Sequence, residues 1–163
     1  MRGIKGFTLI ELLIVILIIS IVSTVAVLTI NFNQNKQIQT TAEEISRLLS
    51  LASEEAMLRP ATLGLLVRDH DYEFYIATPN EKGKTQWQAI TTPPLNKHLL
   101  PSGIHATVKI NDAENEAPKI PQITINASGD FSPFTLLLSG KDNKPVYEVI
   151  QSTEGKIISR AIP

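Results

Sequence analysis

An apolar run near the start of the chain restricts its possible folds more than any other segment. Residues 7–30 comprise 24 residues, of which 18 are apolar, five are Ser or Thr, and one, Glu11, is charged. At about 1.5 Å per residue, a helix of this length covers about 36 Å, whereas the hydrocarbon core of a membrane is about 30 Å thick. The run is therefore predicted to be a transmembrane helix.

The residues in front of the run predict its orientation. The leader has only six residues, and two of them, Arg2 and Lys5, are basic. Positive charges favour the cytoplasmic end of a membrane helix. Residues 1–6 are therefore expected in the cytoplasm, and everything after residue 30 is expected on the far side of the membrane.

Two other interpretations of the run are open. A cleaved secretory signal would release a soluble exported domain that starts near Ala26 or Val27. Such signals have an apolar region of about 7–15 residues, however, and the segment Thr24-Val25-Ala26 is a poor cleavage site. An uncleaved signal anchor fits the length of the run but leaves Glu11 unexplained.

Glu11 needs a partner, because a carboxylate within a membrane helix costs about 2–3 kcal/mol on insertion scales. Arg2 and Lys5 are candidates if the leader stays attached. If the chain is cut between Gly6 and Phe7, the new α-amino group of Phe7 has a reference pKa of about 8, is mostly protonated, and lies one helical turn from Glu11. The carboxylate can also neutralise the positive end of a helix, either its own or a neighbour's.

The segment KGFTLIE at positions 5–11, followed by the apolar run, resembles the class III leader of type IV pilins and of the pseudopilins of type II secretion. The resemblance implies that a prepilin peptidase cuts between Gly6 and Phe7 and methylates the new amine, so that the mature chain starts with N-methyl-Phe7. It also implies that Glu11 pairs with the amine of Phe7 on an adjacent subunit. Gly6, Phe7 and Glu11 are thus the predicted residues for processing, N-methylation and assembly.

The helix is predicted to continue far beyond the membrane run. Residues 7–59 contain no Gly or Pro, and Pro60 disfavours a helical backbone at Arg59. In the second half, residues 31–59, apolar residues recur at spacings of four and three, which predicts an amphipathic periplasmic helix with one stripe on a core. The stripe consists of Ile38, Ala42, Ile45, Leu49, Ala52 and Ala56.

Residues 60–163 are predicted to form a β domain. Short β-prone runs alternate with turn segments such as Asp69-His70-Asp71 and Ser128-Gly129-Asp130. About eight strands are expected, at 62–68, 72–78, 87–90, 104–110, 122–126, 134–139, 146–151 and 156–160. The expected fold class is α+β, with a long N-terminal helix packed on antiparallel strands in two layers.

The sequence INASGDFSPFTL at positions 125–136 resembles the strand–turn–strand signature of the H-type minor pseudopilins, a group that includes FimT-like minor pilins. Residues 54–59 and the hairpin at 69–72 fit the same group. The resemblance implies a long N-terminal helix with two antiparallel sheets. The central region 79–121 matches nothing in the group, and no role is assigned to its loops 79–103 and 111–121.

Composition excludes most catalytic chemistry. The chain has no Cys and three His, and no nucleophile motif accompanies them, so no enzyme activity and no cofactor are expected. Asp69, His70, Asp71 and Glu73 include metal-binding types, but a polar turn between two strands explains them, and no metal site is expected. After residue 30 the chain has 13 basic and 15 acidic residues, and this balance disfavours nucleic acid as a partner.

The resemblance implies a minor pseudopilin at or near the tip of the periplasmic pseudopilus, which drives protein export across the outer membrane. The implied partners are prepilin peptidase, the major and other minor pseudopilins, and the inner-membrane secretion platform. The implied location is the bacterial inner membrane, with a single span and a periplasmic C-terminal domain. A FimT-like minor pilin of a type IV pilus, acting in pilus priming or DNA uptake, is the alternative. An exported enzyme or binding domain is a further one.

Overall fold

The computed structural model of the chain describes residues 7–81, 83–110, 113–114 and 119–162, and it describes only the backbone of residues 24–33 and 113–114. The predicted leader, residues 1–6, lies outside the described residues, as does most of the loop 111–121. The chain divides into two compact units, Met1–Asn35 and Lys36–Pro163. The boundary falls in the polar stretch that follows the apolar run.

A single α-helix, α1 (Leu9–Leu58), covers 50 residues and confirms the prediction of one long helix. Its length follows from the absence of Gly and Pro, the two residues that interrupt helices most strongly. At its end, the backbone N–H of Arg59 donates to the carbonyl of Glu55 at 3.0 Å, and Pro60 comes next. The helix therefore ends where the proline predicts.

In the second unit, α1 buries the predicted apolar stripe. All six residues of the stripe are at most 1% exposed, whereas Arg47 and Glu54, which lie between them in sequence, are exposed. This alternation confirms that the stripe is a core-packing face. The six residues are Ile38, Ala42, Ile45, Leu49, Ala52 and Ala56.

Among the described residues, ten strands follow α1. They are β1 (Leu63–Val67), β2 (Asp71–Pro79), β3 (Thr85–Ala89), β4 (His98–Leu99), β5 (His105–Ile110), β6 (Ala113–Glu114), β7 (Ile123–Ile125), β8 (Thr135–Ser139), β9 (Pro145–Gln151) and β10 (Ile157–Ala161). The first sheet has the order β3-β2-β1-β7, with β4 also paired to β2, and the second has the order β10-β9-β8-β5-β6. Their pairings are antiparallel.

The eight predicted strands are all present, and the prediction of an α+β fold with two antiparallel sheets is confirmed. The two strands that were not predicted, β4 and β6, have two residues each. Such a short strand contains no alternating pattern that a sequence could reveal.

One hydrophobic core joins the helix and both sheets of the second unit. Leu65 and Phe74 enter it from the first sheet, and Val108 and Leu136 enter it from the second; each is at most 1% exposed. In β5 and β8, buried residues alternate with half-buried ones, because successive side chains of a strand point to opposite faces.

The segment at 125–136 forms a turn that packs against α1. The backbone N–H of Asn126 donates to the carbonyl of Asp130 at 2.9 Å, which closes the turn after β7. Gly129 has a φ of 86°, a conformation that other residues rarely adopt. The hydroxyl of Ser53 on α1 donates to the Gly129 carbonyl at 2.8 Å and holds the turn to the helix.

Candidate functional site

The helix start is shaped by Thr8. The backbone N–H of Glu11 donates to the Thr8 carbonyl at 3.1 Å and also approaches the Thr8 hydroxyl oxygen at 3.4 Å. Thr8 therefore occupies the N-cap position, and Glu11 is the third residue of the helix. A Thr followed three residues later by Glu is the pattern of a capping box, and it was the sequence signal by which Thr8 could have been found.

Phe7 and Glu11 lie at this helix start, and both side chains are exposed. Phe7 is 73% exposed, although its side chain is a large hydrophobic one. Gly6, the third predicted site residue, lies outside the described residues. An exposed carboxylate next to the positive end of a helix dipole is available to a cation from another chain.

The first described turns of α1 are apolar on every side. Every residue from 7 to 23 is exposed in the isolated chain. A helix that is hydrophobic all round needs an apolar environment from outside its own fold. The large hydrophobic residues in this range are Phe7, Leu9, Ile10, Leu12, Leu13, Ile14, Val15, Ile16, Leu17, Ile18, Ile19, Ile21 and Val22.

Within the described part of the chain, no helix combines the length and the apolar character that crossing a membrane requires.

A polar cluster surrounds the turn between β1 and β2. Arg68 donates to the Asp71 carboxylate at 2.6 Å and contacts Glu73 at 3.4 Å, and Lys97 lies 3.0 Å from the other Asp71 oxygen. Burial alone would raise the pKa of Asp71, but hydrogen bonds from Arg68 and Lys97 outweigh it, so the pKa lies below its usual value. The hydrogen bond to Asp71 likewise raises the pKa of Arg68. The charges therefore fix the turn.

The turn carries Asp69 and His70 to a residue of the other sheet. His105, at the start of β5, places its Nδ1 2.7 Å from Asp69 Oδ1, and His70 Nε2 lies 3.3 Å from Asp69 Oδ2. The hydrogen bond from His105 lowers the pKa of Asp69. The sequence shows Asp69 and His70 side by side in a polar turn. His105 lies 36 positions from Asp69, and no local pattern connects it to them.

Another polar cluster links α1 to the first sheet. Tyr72 is 2% exposed, and its hydroxyl donates to Glu44 on α1 at 3.2 Å. The His98 ring stacks on Tyr72 with a centroid distance of 5.1 Å, and its Nδ1 lies 3.5 Å from Glu44. Burial, followed by the charge of Glu44, raises the pKa of Tyr72 above its usual value. The Tyr72 phenol therefore stays neutral, and its role is to hold α1 to the first sheet by the hydrogen bond to Glu44.

The helix start and the two-sheet domain together define a pilin-like protein. Residues 1–27 match the prokaryotic N-terminal methylation motif, and residues 41–155 match the family described as type II transport protein GspH. The chain belongs to the GspH family of minor pseudopilins of type II secretion.

Two curated relatives agree with this assignment. The type II secretion system protein H of Pseudomonas aeruginosa is 30% identical over 152 residues, which cover 85% of this chain and 85% of the relative. The protein of the same name from Aeromonas hydrophila is 24% identical over 158 residues, which cover 88% of this chain and 85% of the relative. Both share nearly the whole chain, so the likeness is not confined to the N-terminal motif.

Solved structures share the fold. The crystal structure of the minor pseudopilin EpsH of Vibrio cholerae has a TM-score of 0.66 at 22% identity and covers 79% of this chain and 96% of that one. The solution structure of Escherichia coli GspH has a TM-score of 0.62 at 17% identity, covering 78% of this chain and 89% of that one.

The family assignment decides between the alternatives that the sequence left open. It places the chain in type II secretion instead of a type IV pilus, and in a structural, non-enzymatic family. The methylation motif implies processing by a prepilin peptidase. Membership of the family implies an inner-membrane or pseudopilus location and partners within the pseudopilus.

Proposed function

We propose that this minor pseudopilin is anchored in the bacterial inner membrane by residues 7–30 and joins the pseudopilus at or near its tip through Glu11. In this proposal, the chain is cut between Gly6 and Phe7, and the amine of Phe7 is methylated. Glu11 then pairs with the methylated amine of Phe7 on an adjacent subunit. The observation that carries the proposal is the helix start, where one exposed carboxylate precedes an exposed apolar surface.

The exposed apolar surface supports the proposal, because it requires apolar contacts from outside the chain. Residues 7–23 are exposed on all sides of α1, and burying a Leu or Ile side chain is worth about 1.5–3 kcal/mol. The apolar run has the length of a membrane span, and after assembly the same side chains can pack against helices of other subunits. These side chains are covered by lipid before assembly and by neighbouring helices after it.

The charge pair explains why a carboxylate stands in such a run. An unpaired Glu11 carries the insertion cost of a charge in the membrane, and the protonated amine at a new N-terminus carries a similar cost. Pairing the two charges in a low dielectric removes both costs at once. Because the two groups belong to different subunits, the pairing favours docking of one helix beside another.

Orientation and partners follow from the same arrangement. Arg2 and Lys5 keep the leader cytoplasmic, where prepilin peptidase acts, and residues 31–163 lie in the periplasm. The major pseudopilin and the other minor pseudopilins are the helices that it meets, on the inner-membrane secretion platform. Repeated head-to-tail contacts of this type build an open helical filament instead of a closed ring.

Replacement of Glu11 tests the charge pair. Glu11→Ala is expected to be processed normally but to co-purify with the other pseudopilins at least tenfold less than the wild type, because the partner amine is left unpaired. The measurement is the amount of this subunit captured with a tagged major pseudopilin from detergent-solubilised membranes. Glu54→Ala, which removes an exposed Glu from the other half of α1, is the matched control and should be captured like the wild type.

Wild-type capture of Glu11→Ala would disprove the charge pair. Loss of capture by both variants would instead show that truncating any Glu on α1 disturbs the helix, and it would also count against a specific role for Glu11.

Replacement of Gly6 tests the processing junction. Gly6→Val is expected to accumulate as the 163-residue precursor, because a branched side chain blocks the cut, while Gly3→Val in the same leader should yield mature protein. Mass spectrometry of the intact protein distinguishes the two forms and detects the methyl group on Phe7. A mature chain that starts near Ala26 would show that a signal peptidase cuts the protein instead.

A further inference from the structure

We infer that Asp69, His70 and His105 form a binding site for a zinc ion on the periplasmic domain. The fold brings one carboxylate and two imidazoles together from the β1–β2 turn and from β5. One ligand atom can be chosen from each residue so that all three lie within 4.8 Å of one another. The inference does not depend on the membrane anchor or on Glu11.

Two of the three ligand pairs have spacings near those of a zinc centre, each through a different oxygen of Asp69. Zinc binds imidazole nitrogens and carboxylate oxygens at about 2.0–2.2 Å, so ligand atoms around a tetrahedral ion lie about 3.3 Å apart. Asp69 Oδ1 and His105 Nδ1 are 2.7 Å apart, and Asp69 Oδ2 and His70 Nε2 are 3.3 Å apart. Small rotations of the two rings would therefore open the cluster enough to admit an ion.

The positions of the ligands are set by the surrounding structure. Arg68 and Asp71 pair at 2.6 Å, and the Arg68 backbone N–H donates to the Asp71 carbonyl at 2.8 Å, which holds the turn between them in one shape. His105 is fixed as the first residue of β5, whose partner at this position is Ser139 of β8. Two of the ligands thus lie in the turn that joins two strands of the first sheet, and one lies in a strand of the second.

The ligand set selects among metals. Two imidazoles and one carboxylate suit zinc and other late first-row ions, whereas calcium prefers sites made of oxygens alone. Exposure of the three side chains is 63% for Asp69, 78% for His70 and 28% for His105, so an ion would reach them directly from solvent. A recess of about 380 Å³ beside Asp69 and His105, which Thr107 and Ser139 also line, leaves room for water as the remaining ligand.

The bound ion would connect the two sheets. The β1–β2 turn and the start of β5 are linked at this point by the hydrogen bond between Asp69 and His105, which lie 36 residues apart. Zinc would replace this hydrogen bond by coordinate bonds to both sheets and would stabilise the folded state by mass action. The cluster would then act as a cross-link in a chain that has no Cys for disulfides.

Zinc binding to the full-length chain in detergent tests the inference. The protein should be stripped with a chelator and carry no histidine tag, and zinc chloride is then titrated by calorimetry. The expected result is one zinc ion per wild-type chain, with binding at least tenfold weaker in His70→Gln and in His105→Gln. The chain has three His in all, and His98→Gln is the matched control, because His98 lies in the separate cluster with Tyr72 and should bind zinc like the wild type.

Three calorimetric results would overturn the zinc site: no binding by the wild type at 1 mM zinc, unchanged affinity in both His70→Gln and His105→Gln, or an equal loss in His98→Gln. A measurement on the wild type covers the case in which a variant fails to fold. In ¹⁵N spectra of the histidine rings, zinc should shift His70 and His105 but not His98. Shifts of His98 alone, or of no ring, would show that the Asp69–His105 contact is a structural hydrogen bond only.

Discussion

The two halves of α1 belong to one continuous helix but differ in composition and are buried in opposite ways. In the first half, residues 7–23 are apolar around the whole circumference and exposed throughout. In the second half, Leu49 and the other members of the stripe are at most 1% exposed, while Arg47 on the same helix is in solvent. The more hydrophobic half is thus the one that the fold leaves uncovered.

The difference shows that hydrophobicity alone does not place a segment in a core. A core helix needs one apolar stripe and one polar face, because only one side can meet the sheets. Residues 7–23 lack a polar face, so no single orientation on the domain would cover them. In the proposed assembly, lipid and other subunits supply the apolar contacts of this half.

Truncation of matched leucines is the strongest test of this comparison. Leu49→Ala should lower the free energy of unfolding of the periplasmic domain by about 2–5 kcal/mol, because it leaves a cavity at a residue that is 0% exposed. Leu13→Ala, at a residue that is 54% exposed, should leave this free energy unchanged. Urea denaturation of the full chain in detergent, followed by the fluorescence of Trp87, measures both.

Equal effects of the two leucine variants would break the comparison, because they would show that residues 7–23 contribute to the stability of the domain. A loss of subunit capture by Leu13→Ala with unchanged stability would sharpen it, since the first half would then matter for assembly alone.

The polar contact of the second half with the first sheet should contribute less. Tyr72→Phe removes the hydroxyl that donates to Glu44 on α1 at 3.2 Å but keeps the ring in the core. The expected loss is about 1 kcal/mol, which is typical of one hydrogen bond. Tyr147→Phe, on β9 of the second sheet, is the control and should cost less. A larger loss in Tyr147→Phe would show that Tyr72 is not a special link between α1 and the sheet.

The smallest expected effect is a dependence of domain stability on pH. The pKa of Asp71 is lower in the folded state than its unfolded value of about 3.9, so the ionised carboxylate stabilises the fold above that value, and the contribution disappears as the pH falls through the folded pKa. Asp71→Asn should therefore cost about 0.5–1 kcal/mol at pH 7, since Arg68 and Lys97 are partly exposed and screened.

At pH values below the folded pKa of Asp71, Asp71→Asn and the wild type should converge in stability, because the wild-type carboxyl is then protonated. Denaturation at pH 7 and at low pH checks this, with the exposed Glu54→Gln as a control that should not change the profile. An undiminished difference at low pH would show that Asn disturbs the turn by its shape and not by its lost charge.

Local patterns accounted for most of the fold. The single helix and its buried stripe follow from the absence of Gly and Pro and from the spacing of Ile38 to Ala56, and eight strands follow from alternation and turn residues. The N-terminal motif was equally local, since Gly6, Phe7 and Glu11 lie within six residues. Thr8 was missed although a Thr-x-x-Glu pattern marks it, and the strands β4 and β6 were missed because two residues contain no period.

The sequence alone thus specified the elements and the N-terminal motif, because helix period, strand alternation and breaker residues act between near neighbours. Tertiary structure decided which elements meet. It paired β1 with both β2 and β7, joined Tyr72 to Glu44 on the helix, and brought His105 to Asp69 across two sheets. Such contacts depend on the burial of whole faces, so no pattern within a short window of the chain contains them.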